Sequence, residues 1–167
     1  FLLKEPHSCS ANGIYKISSK DELLNIGKIV DFQNKIIVQE LLNIRKDLRV
    51  IVIGNEIFLH YWRINIGGEW RPTSTGFGSK VDFINFPEQW REKILNTANK
   101  LELDTGAFDI AWQDDDTETE PYFLEVSPYY QPNPAPEFDL DKLSYGAWKK
   151  SFTLKNNYNK NMIDVLF

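Results

Sequence analysis

The chain opens on an apolar run, Phe1 to Leu3, followed by a small-residue loop (HSCSANG, 7–13) and an alternating stretch from Ile14 to Ile17. That pattern predicts a hairpin. Ser19-Lys20-Asp21-Glu22 has the spacing of a capping box, so a short helix through Leu23 and Leu24 is expected, ending near Gly27. Lys35 to Leu41 (KIIVQEL) reads as a strand. From Asp47 the text runs DLRVIVIGNEIFLHYWRINIGGEWRPT, where Gly54-Asn55 and Gly67-Gly68 are turn signals between three apolar-rich runs. An antiparallel meander is the expectation. Pro87 suits a helix first turn, and Trp90, Ile94, Ala98 and Leu101 share one helical face. Ala107 to Trp112 and Tyr122 to Val126 read as strands joined by an acidic segment. The proline-rich run past Pro128 cannot continue a sheet, and residues 140–167 offer only a short helix near Leu143 to Lys149 and an apolar tail. The predicted class is α+β, without internal repeats.

With 167 residues, 42% hydrophobic and 14% aromatic, the chain has enough bulky side chain for a core. No apolar run approaches the ~20 residues of a membrane span, so no membrane partner is expected. Net charge is −5, yet residues 113–120 (QDDDTETE) alone carry five acids, and the remainder is balanced. No basic stripe is present for a phosphate backbone, so nucleic acid is not an expected partner. The single Cys9 and the lack of Asn-x-Ser/Thr sequons favour the cytoplasm. A start at Phe1, without initiator Met or leader, reads as a fragment with an upstream domain missing.

Candidate chemistry centres on Asp109 and Glu125. A turn centred on Thr117 sets these two residues opposite each other across the hairpin. Facing Cβ atoms lie about 4.5 to 5.5 Å apart, where two like charges repel unless a cation or proton lies between them. Ser127 shares the face of Glu125, and an all-oxygen set of this kind suits Mg²⁺ or Mn²⁺. Apolar neighbours (Phe108, Ile110, Leu124, Val126) set these acids apart from Asp114, Asp115, Asp116, Glu118 and Glu120, which read as solvated acids at the tip. His7 and His60 are isolated, and Gly76 and Gly78 complete neither a GxGxxG fingerprint nor a P-loop.

VQELL, DLRVIVIGNEI, WRINIGGEWR, LELDTGAFDI and PYFLEVSP, in this order from Lys4 to about Asn133, resemble ATP-grasp enzymes, especially ribosomal-protein glutamate ligases and glutathione synthetases. The resemblance implies an ATP-grasp fold, in its C-terminal portion: a partial lid subdomain (1–45), an antiparallel-sheet core subdomain with the metal site (46–140) and a C-terminal extension (141–167). It implies ATP and Mg²⁺ (or Mn²⁺) as cofactors. It also implies a carboxylate, small molecule or peptide, activated as an acyl phosphate and attacked by an amine substrate.

By position, Lys4 resembles the lid lysine that reaches the phosphates, and Gln39 and Glu40 resemble the hinge that meets adenine. Asp47 is the candidate acid for the ribose. Arg63 resembles the arginine that stabilises the transferring phosphate, and Arg71 the one that orients substrate. Asp109 and Glu125 match the magnesium carboxylates, while Ser127 stands where the family usually has Asn. Bland readings stand beside these: Lys4 a solvated lysine, Glu40 a strand-edge residue, Arg63 and Arg71 exposed arginines facing each other across the Gly67-Gly68 turn. Two cations that close favour an anion between them. The favoured function is an ATP-dependent carboxylate-amine ligase whose isolated fragment is inactive. The alternatives are a degenerate ATP-grasp binding module and a glycosidase using Asp109 and Glu125.

Overall fold

The computed structural model describes residues 1–6, 11–30, 35–83, 85–128 and 130. Expectations for His7, Cys9, the proline-rich run from 131 and the extension 141–167 lie outside the described residues.

The first sheet has three antiparallel strands in the order β2-β1-β3, built from β1 (Leu2–Lys4), β2 (Ile14–Lys16) and β3 (Ile37–Gln39). Between β2 and β3 runs α1 (Lys20–Ile26). The Ser19 hydroxyl accepts from the Glu22 amide at 3.2 Å, and Glu22 reaches back to the amide of Ser18 at 2.5 Å, one residue earlier than a strict capping box. This short helix buries no side chain and stops at Gly27.

Five antiparallel strands form the second sheet, in the order β6-β5-β4-β7-β8: β4 (Lys46–Ile53), β5 (Glu56–Ile64), β6 (Lys80–Asp82), β7 (Thr105–Ala111) and β8 (Tyr122–Ser127). The β4–β5 turn needs Gly54, whose φ of +58° is left-handed. On one face, Leu48, Val50, Val52, Phe108 and Ile110 pack against α2 (Arg91–Lys100) through Ile94 and Ala98. Ile94 is wholly buried, so Ile94→Ala would remove about 2 to 5 kcal/mol and loosen the helix from the sheet. The opposite face is apolar at one end (Ile51, Leu59, Tyr61, Ala107, Phe83) and charged at the other.

Three expectations differ from the structure. The third run of the meander is not a strand: after β5 the chain runs irregularly from 65 to 79, and the short β6 takes the place beside β5. Arg63 therefore faces Val81, and Arg71 is not its hairpin partner. The predicted helix starts as a 3-10 turn at Glu88–Trp90, and Leu101 sits at its C-cap half exposed, so only Ile94 and Ala98 are buried within α2. Finally, Asp114 and Asp115 are not free at the tip, because both hold the chain between the two sheets.

Candidate functional site

Alternation along the strands builds the site. Tyr61 on β5, Arg49 on β4, Asp109 on β7 and Glu125 on β8 are successive cross-strand partners, forming one row across four strands. One step along, Arg63 faces Asp47. Side chains at i and i+2 share a face, so Asp47 with Arg49, Tyr61 with Arg63 and Glu125 with Ser127 all belong to the same surface.

Asp47 is 1% exposed and Asp109 7%, and buried charges of that kind survive only when paired. Arg63 closes a two-pronged pair with Asp47, its Nε lying 2.9 Å from Oδ1, and its Nη2 also reaches Asp109 Oδ2 at 2.8 Å. Arg49 Nη1 takes the other Asp109 oxygen at 2.6 Å. Two arginines and two aspartates thus neutralise one another. Burial alone would lower the pKa of Arg63, but Asp47 and Asp109 hold its guanidinium well above its ordinary value. Burial pushes the Asp109 carboxyl up, and Arg63 and Arg49 more than offset this, holding it below the usual range. Glu125, opposite, is exposed and accepts a hydrogen bond from the Ser127 hydroxyl at 2.6 Å.

Above this floor lies a cleft of about 720 Å³ between the two sheets, and all nine sequence candidates line it. Lys4 comes from β1, and burial lowers its pKa against the pull of Glu125, Asp109 and Asp47. Gln39 and Glu40 lie at the end of β3 and in the connector that follows. Arg71 comes from the irregular segment, which buried Asn65 pins by donating to the Arg71 carbonyl at 2.8 Å while accepting from Ser79 Oγ at 2.8 Å. Gly67 lets the Arg71 guanidinium lie against the backbone, since a Cβ there would come within 3.2 Å of Nη2. Arg71 Nε is buried without a hydrogen-bond partner among the described residues, a cost that an anionic guest would relieve.

Asp47, the candidate acid for a ribose, has its carboxylate engaged by Arg63, an arrangement that holds that guanidinium in place. Sequence reasoning missed Arg49 and Tyr61. The signal was present, because Arg49 lies two residues from Asp47 on a strand, and period two puts both on one face. It also missed Trp70, Leu42 and Ile44 as cleft walls.

Asp109, Glu125 and Ser127 offer only oxygen donors, which fits a hard divalent cation. A carboxylate accepts at about four lone-pair sites, so the arginine contacts do not exhaust Asp109. Among the described residues no group of three or more His, Cys, Asp or Glu is placed to hold a metal ion. No described helix is long and apolar enough to cross a membrane.

Among solved structures, PsnB complexed with a phosphomimetic variant of its minimal precursor, Mg and ADP is similar at 15% identity and TM-score 0.57, over 95% of this chain and 42% of that one. The D-alanine–D-alanine ligase of Bacillus anthracis is similar at 14% identity and TM-score 0.55, over 98% of this chain and 51% of that one. The macrocyclase MdnC of Microcystis aeruginosa, bound with precursor peptide MdnA, is similar at 19% identity and TM-score 0.52, over 78% of this chain and 40% of that one. These likenesses show an ATP-grasp fold, and the chain spans about half or less of each structure's length. No curated protein matches the sequence. The family model for the RimK-like ATP-grasp domain matches residues 3–132, most of the chain, and the chain belongs to that family.

Proposed function

We propose that this chain is the nucleotide- and metal-binding part of an ATP-dependent carboxylate-amine ligase. The observation that carries the reading is the row Arg49–Asp109–Glu125, with Arg63 beside it, on the floor of a cleft roofed by Lys4. Residues 1–45 would form part of the lid and residues from 46 the core. The base would lie against the connector at Gln39 to Leu42, and the phosphates over Arg63, Arg71 and Lys4. Asp109, Glu125 and Ser127 would hold Mg²⁺ or Mn²⁺, which supplies charge neutralisation at the phosphates.

In the reaction a carboxylate oxygen of the substrate attacks the terminal phosphorus of ATP and ADP leaves, giving an acyl phosphate. An amine then attacks the acyl carbon, losing a proton, and inorganic phosphate departs. Arg63, fixed by Asp47, presents a permanent cation to charge that builds on the phosphoryl oxygens, and its rigidity spares reorganisation during transfer. Arg71 orients the anion that enters. Burial keeps the Lys4 ammonium weakly solvated, which strengthens its pull on a phosphate. Peptide or small-molecule carboxylates and an amine are the proposed substrates, and the cytoplasm the proposed setting.

One feature favours a second reading, a binding module without turnover: Ser127, where an amide oxygen would be the stronger ligand. A glycosidase is disfavoured, since both oxygens of Asp109, the nucleophile in that reading, are engaged by guanidinium groups that draw off its charge and weaken its attack. Titration of ATP and ADP with and without Mg²⁺, followed by an assay for phosphate release with carboxylate and amine present, tests the proposal. Failure to bind either nucleotide sinks both readings, and binding without phosphate release from the full-length protein leaves the module.

A further inference from the structure

The chain between β3 and β4 has no ladder partner from Glu40 to Arg45, yet Glu40, Leu41, Leu42 and Ile44 line the cleft. A wall made of irregular backbone holds its shape only if its amides and carbonyls are satisfied elsewhere. Most of these partners come from one place, the turn after β7; the Arg45 carbonyl is the exception, accepting from the Asn65 amide at 2.8 Å. The Asn43 amide donates to Gln113 Oε1 at 3.2 Å, and its carbonyl accepts from the Asp114 amide at 2.9 Å. Its side-chain Nδ2 donates to Asp114 Oδ1 at 2.5 Å. Asp115 then takes two amides with one carboxylate, Arg45 N at 3.0 Å and Lys46 N at 3.2 Å. Residues 43, 45 and 46 are gripped from outside while 42 and 44 face the cleft. Asp114 and Asp115 hold φ values of +57° and +58°, a left-handed conformation that Asp tolerates but that persists only where surrounding bonds over-determine it.

We propose that this turn is the positioning device for the connector, with Asp115 as a positioning residue that sets the base-end wall of the cleft. The inference rests on the proposed nucleotide reading of the cleft. Asp115 lies away from the charged floor, so its loss should act on ligands that use the connector and spare those that use only the arginines. Asp116 carries the same charge next door, but its carboxylate holds the Glu118 amide within the tip and does not touch the connector.

The test compares wild type, Asp115→Ala, Asp115→Asn and Asp116→Ala in titrations of ADP and of inorganic tripolyphosphate with Mg²⁺ present. ADP affinity should fall about tenfold or more in Asp115→Ala and recover in part in Asp115→Asn, which keeps one acceptor oxygen. Tripolyphosphate affinity should stay within about twofold throughout, and Asp116→Ala should match wild type for both ligands. In Asp115→Ala the amides of Arg45 and Lys46 should exchange faster with deuterium while those of β4 from Leu48 onward keep their protection. Equal loss of ADP and tripolyphosphate, or unchanged exchange at Arg45 and Lys46, overturns the inference. If wild type binds ADP and Asp115→Ala binds it equally well, the inference alone falls. If wild type takes neither ligand, the nucleotide reading falls and this inference with it.

Discussion

Asp109 stands directly across the β7–β8 ladder from Glu125, yet the two carboxylates live in unlike surroundings. Asp109 is buried and clasped by Arg49 and Arg63, whereas Glu125 is exposed and accepts a hydrogen bond from the Ser127 hydroxyl. The pair has one member that supports the fold and one that does not. Asp109→Asn and Glu125→Gln should both abolish the Mg²⁺-dependent part of nucleotide binding, but only the first should destabilise the protein. The loss should be roughly 3 kcal/mol, because Arg49 is left without its carboxylate while Asp47 keeps Arg63. Thermal unfolding with and without MgADP reads both effects. Unchanged MgADP stabilisation in both variants would remove the metal assignment.

The same clasp predicts a pH dependence. Asp109 has a folded-state pKa held below its unfolded value of about 3.9, so the stability it contributes is complete above that value and is lost as pH falls through the folded one. Denaturant unfolding at pH 7, 5, 4 and 3 should show wild type losing stability more steeply below pH 4 than Asp109→Asn. Parallel curves would show that the arginines do not stabilise the ionised carboxylate.

Asp47 offers a test between two roles. If it aims Arg63, Asp47→Asn should weaken tripolyphosphate and ADP alike, by about three- to tenfold, through a loosened guanidinium. If it contacts a ribose, ADP alone should weaken. Parallel titrations of the two ligands decide between them.

Ser127 stands where the sequence resemblance implies Asn. An amide oxygen is a better hard ligand than a neutral hydroxyl and reaches one atom further. Ser127→Asn should therefore tighten Mg²⁺ binding in the presence of a non-hydrolysable ATP analogue, or leave it unchanged. Weaker binding, measured by isothermal titration, would mean that the Ser127 hydroxyl serves mainly to orient Glu125 through their 2.6 Å hydrogen bond.

Local signals were readable where the structure obeys a local rule. The Asp109–Glu125 pairing agrees with the expected register, but it is reached through a slip of the ladder between Asp109 and Ile110, because the pairs nearer the turn, Ile110–Phe123 and Ala111–Tyr122, sit one residue off it. The capping of α1 and the buried pair Ile94 and Ala98 follow from spacing alone. What stayed hidden depends on distant partners. The run after Gly67-Gly68 reads as a third strand of the meander, but the segment is held instead by Asn65, which bonds to Arg71 and Ser79. Asp114 and Asp115 look like solvated acids because their partners, Asn43 and Arg45, lie some 70 residues earlier. Tertiary partners decided both cases against local propensity.

β7 carries Asp109 within its span and leads straight into the turn that grips Asn43 and Arg45. The interval from 109 to 115 is in effect a ruler, graduated at about 3.3 Å per residue along the strand to Ala111 and closed by the tight turn at Gln113–Asp115. One residue inserted between Ile110 and Trp112 would slide the grip by a full graduation or turn Asp109 toward the helix-packed face, since side chains alternate along a strand. Past Asp116 the loop is tied at two points, the Thr117 carbonyl, which accepts from Trp90 Nε1 at 2.7 Å, and Glu120, which pairs with Lys93. Across related proteins, chain-length variation in this hairpin should therefore collect at Glu118 and Thr119, between those ties, and a peptide tag placed there should be tolerated better than one placed between Asp109 and Asp115.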